Sequence, residues 1–192
     1  MGVTDDTATA VDDATEETRR PTADTLATLA VCWREPSEEL RGTVESGAVA
    51  WLDESEAAVD LDELRVEYTR LFVGPGPEQC PPYESVYRDG DHDGDDQNVG
   101  PVYGPATQAV ARWYAEYGLE LRDSRSAPPD HIATELEFAA YLAATEDDDT
   151  VEQFLDEHLR AWIEPFTARL RENDPGPFYR AVIEKTIEVV TR

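Results

Sequence analysis

From Pro21 onward the apolar residues recur three and four apart, and nowhere do they alternate with polar ones over a strand's length. That spacing gathers a greasy stripe on one face of a helix, whereas a half-buried strand needs a period of two. Leu26, Leu29, Ala30 and Trp33 mark the first stripe. "EPSEEL" ends that helix and opens a second, expected to run to about Trp51–Leu52. "DLDELRVEYTRLFV" follows, with Asp60 placed to cap its start and Glu63 three residues on, the spacing of a capping box. Next come "PATQAVARWYAEYGL", with Gly118 as its C-cap, and "HIATELEFAAYLAAT". "DDDT" separates these from "VEQFLDEHLRAWIEPFTARLREN", where Pro165 should kink the helix because it removes a backbone donor and crowds the preceding turn. "DPGP" then precedes a last helix, "FYRAVIEKTIEVVTR". The predicted fold class is all-α, a bundle of many helices around a long Pro/Gly-rich loop.

That loop spans 74–104, far longer than an ordinary connection. Its first part, 74–87, holds four prolines and two glycines and ends in aromatics, so it is stiff; 88–100 is rich in Asp and Gly and is expected to be mobile. Two readings of the stiff part stay open. Leu71, Phe72, Tyr83, Val86 and Tyr87 fit ordinary core shaped by a wide turn. They fit equally a preformed binding wall, which loses little entropy when a partner docks. Residues 1–20 are acidic, rich in Thr and Ala, and nearly without large apolar side chains, so they are expected to form a disordered tail. Residues 21–192 are left as one helical domain.

Charge narrows the partners. Asp and Glu number 43 against 16 Lys and Arg, a net charge of −27, which repels nucleic acid and anionic membranes alike. Lys185 is the only lysine and acids occur in every segment, a breadth that favours a salt-rich habitat over one acidic binding patch. At molar salt the Debye length is about 3 Å, so recognition would rest on apolar contact and close hydrogen bonds. Cys32 and Cys80 are far apart and fit free thiols in a reducing cytoplasm. No run approaches 18 consecutive apolar residues, so nothing is expected to insert stably in a membrane.

Several local patterns lead nowhere. "TRRP" at 18–21 holds paired arginines, but the helical "TADTLATLAVCWRE" after it carries Asp24 and no cleavage site, which excludes export. "MGVTDD" has Asp6 where a myristoylation signal needs Ser or Thr. "DGDHDG" at 89–94 opens like a calcium loop, yet Gly100 stands where the closing Glu belongs. Phosphate loops, dinucleotide fingerprints, HExxH and nucleophile elbows are absent. His92 reads as solvent-exposed, and His158, between Phe154 and Trp162, as a satisfied structural residue. His131 follows Asp130, a candidate cap for its helix, and shares a face with Glu135 and Phe138. A His131–Glu135 pair is the start of a metal site or an acid–base pair, the enzyme alternative, but no third ligand is apparent. Ser85, Asp130 and His131 make a hydrolase triad only on paper.

"YTRLFVGPGPEQCPPYESVYRD", "PPDHIATELEFAAYL", "FLDEHLRAWIEPF" and "FYRAV" together resemble the TorD/DmsD family, related to NarJ, over about residues 24–190. The resemblance implies an all-helical, TorD-like fold, sometimes a domain-swapped homodimer. It also implies a cytoplasmic chaperone without catalytic activity or cofactor. Such a chaperone binds the twin-arginine signal peptide and the apo catalytic subunit of a molybdopterin oxidoreductase of dimethyl-sulfoxide or trimethylamine-N-oxide type. It holds back export until the cofactor is inserted. A NarJ-like nitrate reductase assembly chaperone is the alternative. The family's peptide-binding motif falls here on Leu71, Phe72, Gly74, Pro75, Pro82, Tyr83, Ser85, Val86 and Tyr87, with its aspartate–histidine pair on Asp130 and His131. These residues are expected to line an apolar groove, with Asp130 meeting the arginines. Tyr83 replaces a tryptophan of several relatives, and the acidic insertion at 89–98 lies outside the family pattern.

Overall fold

A computed structural model describes residues 21–58, 60–74, 76, 79–90, 104–119 and 128–192. The expected acidic tail at 1–20, Pro75 and His92 lie outside the described residues, as does nearly all of the acidic insertion. Secondary structure among the described residues is helical apart from one isolated antiparallel bridge, Tyr83 with His131.

Helix α1 (Ala23–Trp33) starts where the Thr22 hydroxyl accepts from the Thr25 N–H, and buries the expected stripe of Leu26, Leu29, Ala30 and Trp33. Helix α2 (Glu38–Glu45) is shorter than its apolar pattern suggested. It ends at Ser46, and Gly47 turns the chain with a φ of 77°, a left-handed conformation that favours glycine. Helix α3 (Leu61–Tyr68) is capped by Asp60, whose side chain accepts from the N–H groups of Asp62 and Glu63. It runs on into a π-helical turn, Thr69–Val73, closed by a 2.6 Å bond from Gly74 N–H to Thr69 O.

The stiff loop contains an unpredicted short helix, α4 (Glu84–Arg88), too brief to show a period. Helix α5 (Pro105–Glu116) begins with proline at its first turn and ends before Gly118, which takes the expected left-handed conformation. Asp89 Oδ2 accepts from Ala106 N–H at 3.0 Å, so the end of α4 is fastened to the start of α5. A side chain at Gly104 would overlap the Asp89 carboxyl, which explains the glycine there.

Helix α6 (Ile132–Thr145) lies along α1 in the most extensive interhelical contact of the fold. Helix α7 (Asp148–Glu157) is capped by Asp147, and α8 (Leu159–Glu172) follows after a break at His158, with φ −122° and ψ −91°. The interruption therefore sits at His158, and α8 continues through Pro165. Pro165 and Ala161 both face outward, where solvent satisfies the carbonyl that the proline leaves without a donor. Helix α9 (Pro177–Val190) completes the bundle. At its centre, the Trp33 ring meets Phe166 at 5.4 Å, and its indole N–H donates to the Thr186 hydroxyl at 2.9 Å. Cys32 and Cys80 are both buried free thiols, and burial pushes the Cys32 thiol up to about 12. No helix among the described residues is long and apolar enough to cross a membrane.

Candidate functional site

The segment 80–88 is stitched to its surroundings by backbone bonds that the prolines direct. Cys80 N–H donates to Leu71 O at 2.7 Å, and Ile132 N–H donates to Pro82 O at 2.9 Å. One residue on, Glu84 N–H donates to Asp130 O at 2.9 Å and Ser85 N–H donates to Asp130 Oδ2 at 3.0 Å. Asp130 therefore does not cap its own helix. His131 does, with Nδ1 accepting from Ala133 N–H at 3.1 Å, while its ring meets that of Tyr83 edge-on at 5.1 Å. Burial, and next the charge of Arg34, hold His131 down at about 4. It is accordingly neutral near pH 7, as an acceptor at Nδ1 requires.

The sequence brought these residues together correctly but misjudged what they face. Leu71, Phe72, Pro82, Ser85, Val86, Asp130 and His131 are buried, so their side chains offer no wall to solvent. Tyr87 stacks on Trp162 at 5.7 Å and meets Phe166 edge-on at 5.5 Å, facing the core. Tyr83, Tyr87 and Gly74 keep partial exposure. The apolar groove expected from the motif is thus replaced by a clamp. Cross-bonding to 130–132 leaves few backbone groups for water and draws the side chains inward.

Beneath the clamp lies a set of buried polar groups that the sequence signalled only faintly. Glu84 and Glu135 are both fully buried. Glu84 accepts from Arg88 Nη1 through Oε1, and His158 Nδ1 lies 2.9 Å from its Oε2. Glu135 Oε2 accepts from the Trp162 indole N–H at 3.1 Å. No donor faces Glu135 Oε1. The Glu135 carboxyl is a neighbour of that of Glu84, and two carboxylates form a hydrogen bond only when one of them carries a proton. Burial first, and then the charge of Glu84, raise the affinity of Glu135 for that proton well above a carboxyl's ordinary value. Asp130 Oδ1 and the Ser85 hydroxyl are likewise buried without partners. The one sequence signal was Glu135 itself, a carboxylate on the buried stripe of α6 beside Ile132, Leu136 and Ala139.

These bonds also bear on the enzyme alternative. His131 Nδ1 is committed to Ala133 and Glu135 Oε2 to Trp162, so each residue has one of its two polar atoms engaged elsewhere. Among the described residues no three His, Cys, Asp or Glu side chains converge as metal ligands. Ser85 N–H, not its hydroxyl, meets Asp130, so the paper triad lacks its first bond.

A cleft of about 560 Å³ opens beside the clamp, between α5 and α7. Its lining includes Arg88, Trp113, Glu116, Tyr117 and Glu157, with buried His158 beneath. The Trp113 and Tyr117 rings lie 5° from parallel, 6.3 Å apart. Trp113 Nε1 donates to Glu157 Oε2 at 3.0 Å, Gln153 Nε2 donates to Oε1 at 2.8 Å, and Arg88 Nη1 donates to the Glu157 carbonyl at 2.8 Å. The Gln153 bond, and after it that from Trp113, hold the Glu157 carboxyl below the usual range.

Comparison with known proteins fits this architecture. Residues 24–168 match the family described as nitrate reductase delta subunit. Among curated proteins, the chain is 29% identical over 126 residues to the chaperone protein TorD of Shewanella loihica, covering 66% of this chain and 58% of that one. It is 30% identical over 121 residues to the Tat proofreading chaperone DmsD of Salmonella typhimurium, covering 63% and 55%. The chain thus spans little more than half the length of these relatives. A crystal structure of a candidate redox enzyme maturation protein from Archaeoglobus fulgidus superposes with a TM-score of 0.65 at 27% identity, over 88% of this chain and 96% of the other.

Proposed function

The chain belongs to the nitrate reductase delta subunit family, with TorD and DmsD chaperones among its relatives, and from that premise we propose that it is a maturation chaperone without catalytic activity. Its client is a molybdopterin oxidoreductase of dimethyl-sulfoxide or trimethylamine-N-oxide reductase type. It binds the client's twin-arginine signal peptide and apo catalytic subunit in the cytoplasm and holds both until the cofactor is inserted. The observation that carries this reading is the family match over 24–168, joined to relatives that are themselves chaperones.

The motif contributes in two ways in this proposal. Tyr83, Gly74 and the exposed part of Tyr87 form the contact surface. Leu71, Phe72, Pro82, Ser85, Val86, Asp130 and His131 hold that surface rigid from beneath. Burying one large apolar side chain of the peptide is worth about 1.5–3 kcal/mol, so a few contacts, less ordering costs, give roughly micromolar affinity. The acid excess suits a salt-rich cytoplasm, where such short-range contacts survive screening.

Calorimetric titration of the purified chain with a synthetic twin-arginine leader tests the proposal. Micromolar binding, with marked weakening when both arginines become lysines, is expected. Equal affinity for the two leaders, or none for either, overturns it. The family's description favours one second reading, a nitrate reductase client. Titration with leaders of both enzyme types separates the two, and light scattering of the free and loaded chain shows whether it works as a homodimer.

A further inference from the structure

We infer that the cleft between α5 and α7 is a seat for a guanidinium side chain of the bound peptide, distinct from the motif clamp. This rests on the chaperone reading, to which it adds a place and a chemistry.

An arginine side chain is planar, weakly hydrated and a fork of donors, and it is best held by an aromatic face with a carboxylate at its edge. The cleft supplies both. Trp113 and Tyr117 are only half-buried, and their parallel rings both line the cleft with aromatic surface. Glu157 is exposed but not loose: Trp113 and Gln153 each fix one of its carboxylate oxygens and keep it ionised. Each oxygen retains acceptor capacity for a second donor. Glu116, one residue before Tyr117, is exposed and lines the same cleft.

The cations of the cleft leave those carboxylates open. Arg88 is drawn down to buried Glu84 and to the Glu157 carbonyl, so its charge is already matched. Arg112 is four residues from Glu116, the spacing of a helical ion pair, yet makes none. Among the described residues it is the one cation with neither an acid nor a hydrogen-bond partner. Arg112 therefore sets the sign of the site's preference. A cationic occupant is repelled by it and gains from its removal. An anionic occupant needs it.

The cleft also touches the motif. Arg88 closes α4, and His158 beneath the cleft reaches Glu84, the residue after Tyr83. One peptide can therefore lie across the Tyr83 surface and drop a guanidinium between α5 and α7.

The test uses the full chain and a synthetic leader, with arginine pair or lysine pair, in calorimetric titrations. Exposed or half-exposed positions are changed so that the fold survives. Tyr117→Ala and Glu116→Gln are each expected to weaken the arginine leader about fivefold, and to affect the lysine leader less. Arg112→Glu is expected to strengthen the arginine leader about threefold. A photo-crosslinker placed next to the arginine pair should attach to α5 or α7. A wild-type chain that binds the leader while all three variants match it overturns the assignment and leaves the chaperone reading standing. Weaker binding in Arg112→Glu also overturns it, because the occupant is then acidic. A wild-type chain that binds no leader overturns both.

Discussion

Two aromatic clusters in this bundle use the same residues to opposite ends. Around Trp33, the rings of Phe72, Phe166 and Tyr179 are sealed, and the indole N–H ends on a buried hydroxyl, that of Thr186. Around Trp113, the rings of Tyr117, Phe138 and Phe154 form a similar group, but the indole N–H ends on Glu157, an exposed carboxylate. A tryptophan whose polar edge is satisfied inside adds stability alone. One whose edge is satisfied at the surface keeps a face for a partner. The difference teaches that aromatic density in the sequence does not tell which rings reach solvent; the address of the indole hydrogen bond does.

The largest expected effect tests that contrast directly. Trp33→Ala leaves a buried cavity and takes away the indole donor to Thr186, whose hydroxyl keeps its bond to the Val182 carbonyl; it should cost about 3–5 kcal/mol of stability in denaturant melts. Tyr117→Ala should stay within about 1 kcal/mol in the same melts while changing leader affinity. Comparable losses in the two variants would erase the distinction between the clusters.

An intermediate effect is expected at the clamp. Asp130→Ala frees the Ser85 N–H inside the protein, a loss of about 1–3 kcal/mol, with Asp130→Asn milder because its carbonyl still accepts. Melts of the pair, with hydrogen exchange at the Ser85 amide, check this. An unaltered exchange rate in Asp130→Ala would show that the bond does not hold the segment.

The smallest expected effect is a slope rather than a midpoint. Glu135 binds its proton more tightly folded than unfolded, where its value is near 4.5. Its contribution to stability is therefore fully present below that value and is lost as pH rises through the folded one. Glu135→Gln keeps the acceptor for Trp162 and supplies an N–H toward Glu84 at every pH. The stability of Glu135→Gln relative to wild type should accordingly grow as pH rises above 4.5. Parallel urea-melt curves from pH 4.5 to 8 would show that no proton is held there.

Much of the fold was legible because its signals are local. Asp60 caps α3 through N–H groups two and three residues away, and Gly118 ends α5 by its own backbone geometry. The misreadings also have local causes. Helix α2 is shorter than its apolar spacing implies, because that spacing outlasts the turn at Gly47, and α4, at five residues, is too brief to show a repeat. The long helix expected over 151–173 is divided at His158, whose side chain is drawn inward to Glu84, and α8 runs on through the exposed Pro165.

By itself, the sequence determined the helices, the punctuation between them and the family to which they belong. Periodicity and capping act over three or four residues, and the motif order is written in the chain. Only the tertiary structure decided which aromatic faces are sealed and which meet solvent. Glu84 meets His158 across 74 residues and Ser85 meets Asp130 across 45. Burial at any point depends on every element packed around it, and no window of sequence contains those neighbours.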